Sequence, residues 1–227
     1  MIAKPERVLA WAALWGCWTA ATPSAVKAQA LFEVIPTSEI PQDYSSWSLF
    51  LVCNPAWIIQ SGDKGVAELF NQYKAFGHAI GPKNLAIWFW KEPAATATAA
   101  NTDTDRSSTY CEKYKLLPSE SPHVLVTTRY PNDPVPGDRF VVRLNGLAPH
   151  DSALALTNLA DQLLVTGLNQ TGLDASVRWR KVFAAVGSAV SATGCYFNKV
   201  SFSLKTGVIN AEIEHSTEGA GACWRMA

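Results

Sequence analysis

The chain reads as an α/β protein: a mixed sheet flanked by helices, followed by a C-terminal helix and β-hairpin extension. Three observations predict this. Apolar runs of strand length, Trp47–Val52 and Leu85–Trp90, are bounded by Pro, Gly and Asn, as short buried strands are. Between them lies a stretch with apolar residues at helical spacing, so strand, helix and strand form a parallel, right-handed crossover unit. Two further runs, His123–Thr128 and Arg139–Leu144, are joined by a connection rich in Pro, Asn, Asp and Gly, which predicts an antiparallel hairpin.

Taken in order, residues 1–30 have the composition of an export signal. Lys4 and Arg7 give a basic start, Val8 to Ala21 is apolar, and Ala28-Gln29-Ala30 is a small-x-small cleavage sequence. The apolar stretch is short for a bilayer crossing. Two rival readings are a lipid anchor at Cys17, from the box-like Leu14-Trp15-Gly16-Cys17, and an uncleaved tether. No later segment has the apolar length of a membrane span, so the expected product is periplasmic or secreted.

Residues 31–46 read as an irregular lead-in, with Pro36 and Pro41 opposing regular structure. Trp47–Val52 is a buried strand stopped by Cys53-Asn54-Pro55. Asp63 is the expected N-cap of a helix with Val66, Leu69, Phe70, Tyr73 and Phe76 on its apolar face. Gly77 and Gly81 offer its end. After the strand Leu85–Trp90, residues 93–108 shift to Ala, Thr, Asp and Asn and read as a surface loop. A short helix is expected from Ser108 or Thr109 to Leu117, ended by Pro118. The hairpin follows, closed by Asn145-Gly146, and Leu154, Leu156, Leu159, Leu163 and Leu164 mark a helix starting near Asp151. Beyond residue 172, a helix from Asp174 to about Ala192 precedes the clearest hairpin pattern, in which Val200, Phe202 and Leu204 alternate with Ser and Lys and return through 208–213.

This order resembles the thioredoxin family over residues 44–167, with 173–227 as an extension outside the resemblance. By the resemblance, Trp47–Val52 is the first central strand, Asp63–Ile80 the helix that carries the family's redox motif, and Pro122 the cis-proline facing the active site. The departure is equally specific. Family redox enzymes place Cys-x-x-Cys at the start of that helix, where its N-terminus acidifies the thiol and the second cysteine resolves the mixed disulfide. Here the region is Asn54-Pro-Ala-Trp-Ile-Ile-Gln-Ser-Gly-Asp63, without a cysteine.

With Cys17 removed, Cys53, Cys111, Cys195 and Cys223 remain, an even number that favours disulfides in an exported chain and permits three pairings. In the fold the resemblance implies, Cys53 and Cys111 lie at corresponding ends of neighbouring strands, which makes their bridge reasonable. A Cys195–Cys223 bridge would flank the C-terminal hairpin, closing a loop of about 28 residues worth roughly 3 kcal/mol. His123 follows the expected cis-proline, and Trp57 lies where the redox motif would be; with Pro122 they are the candidate binding residues. No His, Cys, Asp or Glu spacing suggests a metal site, and no motif calls for a cofactor.

Lys and Arg number 19, as do Asp and Glu, so the balance of charge points to neither nucleic acid nor an anionic membrane. The expected function is that of an exported, non-catalytic thioredoxin-like domain binding a protein or peptide partner in the cell envelope or a secretion pathway, by strand addition beside Pro122. Two alternatives stand beside it. One is an atypical thiol–disulfide oxidoreductase using Cys53 and Cys111. The other is a structural subunit of an envelope assembly, using the C-terminal hairpin as an added edge.

Overall fold

A computed structural model of the chain describes residues 31–173 (apart from 37, 95 and 166), 184, 186–188, 200–206 and 210–213. The expected signal segment, Cys195, Cys223 and most of the 174–192 helix lie outside the described residues.

The described chain is built on one mixed sheet of seven strands: β1 (Leu31–Val34), β2 (Ser46–Leu51), β3 (Asn84–Phe89), β4 (His123–Thr127), β5 (Arg139–Arg143), β6 (Ser201–Lys205) and β7 (Asn210–Ile213). Their spatial order is β1-β3-β2-β4-β5-β6-β7. The β1–β3 and β2–β3 pairs are parallel, and every other neighbouring pair is antiparallel. The β6–β7 hairpin is thus not set apart from the sheet; β6 pairs along the whole of β5.

Helices cover both faces. α1 (Pro55–Ile80) and α3 (Pro149–Val165) pack on one face against Phe50, Trp88, Val124, Val126 and Phe140. α2 (Thr104–Tyr114) covers the other, meeting Leu49, Leu51, Ile87, Phe89 and Leu125 through Tyr110, Cys111 and Tyr114. All six residues of β2 and of β3 are buried, which is why both read as apolar runs rather than alternating ones. Aromatic packing fixes the first face: Phe50 stacks on Trp88 at 4.4 Å, and Phe70 meets Trp88 and Trp90 edge-on. A fourth, single-turn helix, α4 (Leu168–Thr171), follows α3.

Four expectations need correction. The lead-in contains β1; its prolines lie beyond the strand, so they do not disturb its pairing to β3. α1 starts at Pro55, not after Asp63. Asn54 is its cap, accepting from the Ala56 N–H at 3.1 Å, and Pro55 occupies the first turn, where a missing N–H costs nothing. Gly62, at φ 62°, kinks the helix between the two segments, and Asp63 accepts from the Ala99 N–H instead of capping. α2 begins at Thr104, because Asp103 accepts from the Arg106 N–H, so the preceding loop is shorter than its composition suggested. Cys111 therefore sits on α2 in its C-terminal half, not at a strand end.

Gly77 lies inside α1 rather than ending it. A Cβ there would stand 2.6 Å from the Ala86 side chain on β3, so glycine lets helix and strand approach closely.

Candidate functional site

The site lies where β2 hands over to α1. Val52 is fully buried, Cys53 follows, and Asn54 opens the helix. Opposite, Pro118–Glu120 form one 3-10 turn leading into β4 through Ser121 and Pro122, whose peptide bond is cis. The two segments are clamped by one side chain: the Ser121 hydroxyl accepts from the N–H groups of Cys53 (3.1 Å) and Asn54 (3.3 Å). Pro122 is consequently fixed beside the N-terminus of α1.

Cys53 and Cys111 form a disulfide with Cα atoms 5.8 Å apart. It ties the entry of α1 to α2 across the sheet face that α2 covers. His123 stands behind it, with Nδ1 3.3 Å from Cys53 Sγ. A disulfide sulfur has no proton to give, so this contact is a hydrogen bond only when the ring carries its hydrogen on Nδ1.

The ring is fully buried, and its pKa is pushed down to about 3, first by burial and then by the Arg143 guanidinium. Glu120 does not offset this. Its Oε2 is 2.8 Å from Arg143 Nε but 3.9 Å from His123 Nε2, so the carboxylate is committed to the arginine. The imidazole is neutral across the physiological range.

All three residues expected to form a binding surface are buried. Trp57 packs in the core and donates from Nε1 to the Leu147 carbonyl at 2.8 Å, tying the first turn of α1 to the β5–α3 connection. Pro122 and His123 are enclosed with it. The main chain at the cis bond is also occupied. Ser121 N–H donates to Pro118 O, Gly146 N–H to Ser121 O and Leu144 N–H to Pro122 O. An extended peptide would find no open rung there.

What the site presents outward is a pair of clefts flanking Cys53-Asn54-Pro55. One, of about 290 Å³, has the disulfide in its wall, with Glu112, Lys115, Leu116, Leu117 and Pro118 around it. The other, of about 370 Å³, lies between the first turns of α1 and the loop after β3, lined by Pro55, Ile58, Ile59, Asp63 and Lys91 among others. Each has an exposed aliphatic side chain in its lining, Leu117 at 55 % and Ile59 at 74 %.

Sequence reasoning missed Ile59, Leu117 and Ser121. Ile59 carried a signal, since Trp57-Ile58-Ile59 in a helix must turn one of its three large side chains to solvent; the two others are buried. Among the described residues no helix is long and apolar enough to cross a membrane, and no group of His, Cys, Asp and Glu is placed to hold a metal ion. Comparisons with protein-family models, curated proteins and solved structures find no match to this chain, so the reading of this site rests on its own geometry.

Proposed function

We propose that this chain is a thioredoxin-like domain of an exported protein that binds a protein or peptide partner at the disulfide-bearing end of its sheet. Three features support the family likeness: the order β1-β3-β2-β4-β5, the cis Ser121–Pro122 bond, and its clamp to the entry of α1 through the Ser121 hydroxyl. The observation that carries the binding reading is the pair of clefts on either side of Cys53–Pro55, with Ile59 and Leu117 held in solvent in their walls. What sets Ile59 and Leu117 apart from other exposed apolar side chains is their place in two clefts on either side of one helix entry, where they can anchor a partner.

The contact is made by side chains, because the backbone at Ser121 and Pro122 is already hydrogen-bonded within the chain. Photo-crosslinkers placed singly at Ile59, Leu117 and, as a distant control, Leu154 test it in an extract of the native cells. Adducts to the same protein from 59 and 117 but not 154 are the expected outcome. Equal labelling from all three, or none from 59 and 117, would overturn it.

A second reading, thiol–disulfide exchange, is favoured by the disulfide's place in a cleft wall with His123 behind it. An incoming thiolate would attack Cys111 Sγ, forming a mixed disulfide and breaking the Cys53–Cys111 bond. The electron pair leaves on Cys53, where the α1 N-terminus and His123 Nδ1–H stabilise a thiolate. Insulin reduction with dithiothreitol, compared between the wild type and Cys53→Ser, separates the readings. Turnover that the variant loses establishes exchange; no turnover above the uncatalysed rate in the wild type removes this reading.

A further inference from the structure

At the opposite end of the sheet, β4, β5 and β6 leave a second, polar concavity. It has a volume of about 430 Å³ and is lined by Thr128, Arg129, Gly137, Asp138, Arg139, Lys205 and neighbouring residues. Three cations border it against one lining carboxylate, although the chain as a whole is neutral.

The arrangement of these cations is specific. Arg139 and Lys205 are direct partners in the antiparallel β5–β6 ladder, so both side chains rise from the same face. Their Cβ atoms are then about 5 Å apart, where like charges repel. The Arg139 guanidinium is held: it lies over the Tyr114 ring at 5.4 Å, and Nη1 donates to the Gly137 carbonyl at 3.0 Å. Arg129 is held at the same glycine. Its Cβ, Cγ and Cδ run along Gly137, where an added Cβ would stand 2.3 Å from Arg129 Cβ. Gly137 thus places one arginine by its carbonyl and the other by its missing side chain.

The connection itself is closed by Thr128 N–H donating to Asp138 O and by the Thr127 hydroxyl, which reaches the carbonyls of Arg129 and Asp138. Asp133 Oδ2 is 3.8 Å from Arg129 Nε, and Asp133 is not among the residues that line the concavity.

We infer that this concavity is a binding site for a tetrahedral oxyanion, a phosphate ion or the phosphoryl group of a small phosphomonoester. Such an anion between Arg139 and Lys205 converts their repulsion into two charge-assisted contacts, and arginine's planar fork suits two oxygens at once. Burial lowers the basicity of Arg139, a penalty that a bound anion relieves. The site is independent of the partner-binding reading, since it lies at the other end of the strands.

The test is an NMR titration of the full-length, isotope-labelled protein with sodium phosphate, sodium chloride being adjusted to hold ionic strength constant. Saturable shifts centred on the amides of Thr128, Gly137, Arg139 and Thr206 are expected. Lys205→Gln and Arg129→Gln change side chains at the rim of the sheet, and each is expected to raise the phosphate midpoint at least tenfold. A parallel titration with glycerol 3-phosphate distinguishes the sources: tighter binding than inorganic phosphate assigns the site to a phosphomonoester, weaker binding to the free ion. Absence of saturation with either compound, or midpoints unchanged in both variants, would overturn the inference.

Discussion

Removing the Cys53–Cys111 bridge should lower stability by a predictable amount. The bridge spans 58 residues, a loop that includes all of α1 and β3. Opening it restores to the unfolded chain the freedom that loop closure withheld, which in the chain-entropy account is worth about 4 kcal/mol. Both cysteines are nearly buried, so the double variant Cys53→Ala/Cys111→Ala, which leaves no lone thiol in their place, isolates the bridge better than either single change. In urea, where a domain of this size responds with roughly 2 kcal/mol per molar, the midpoint should fall by about 2 M, with a slope no smaller than that of the wild type because the opened unfolded chain is less compact. Adding reductant to the wild type should give the same midpoint if the cleft admits it to the sulfurs. A fall of less than about 0.5 M in the double variant would refute the reasoning, because it would mean the unfolded chain gains nothing from the opened loop.

Three further outcomes follow from buried contacts. His123 is held neutral with its pKa near 3 against an ordinary 6.5, so as pH falls the unfolded chain takes up a proton before the folded one. Its contribution is whole above about pH 6.5 and is lost progressively towards pH 3; between pH 7 and 4.5 the wild type should lose roughly 2–3 kcal/mol more than His123→Leu in paired urea melts, and equal losses would contradict this. Ser121→Ala strands the N–H groups of Cys53 and Asn54 at the entry of α1 and should cost about 1–3 kcal/mol by urea denaturation, with a cost near zero counting against the clamp. Gly77→Ala drives a Cβ against Ala86 and should cost about 1–3 kcal/mol by thermal melting, and pairing it with Ala86→Gly should recover part of the loss.

The sheet was legible wherever burial on both faces left no choice of period. β2 and β3 are enclosed by α1 and α2, so apolar residues face both sides of each strand, with Ser46, Ser48 and Asn84 as the buried polar exceptions. β6 was legible from a different signal, Phe202 and Leu204 alternating with Ser201 and Ser203, although both serines are buried as well. β1 was not, because four residues before Pro36 hold too little pattern, and its place at the sheet edge comes only from pairing with β3. The start of α1 was misplaced because Asn54-Pro55 is both a strand stop and a helix start. Nothing local decides between them until the Ser121 hydroxyl is seen holding the Cys53 and Asn54 amides.

The site illustrates a harder limit. The resemblance brought Trp57, Pro122 and His123 together as a binding surface, and the structure buries all three, with His123 Nδ1 3.3 Å from Cys53 Sγ. Proximity is not accessibility, however. His123 sits opposite Leu51 in the β2–β4 ladder, on a strand paired on both sides, and its ring is fully buried. Trp57 falls inside α1 because the helix is capped at Asn54 rather than Asp63, and in these first turns Trp57 and Ile58 turn inward while Ile59 turns to solvent. A one-face helix argument depends on phase, and phase is fixed by where the cap lies. With Asn54 as the cap, the first turns of α1 bury Trp57 and Ile58 and leave Ile59 in solvent, and it is Ile59 with Leu117, rather than the buried tryptophan and histidine, that the partner contact we propose would use.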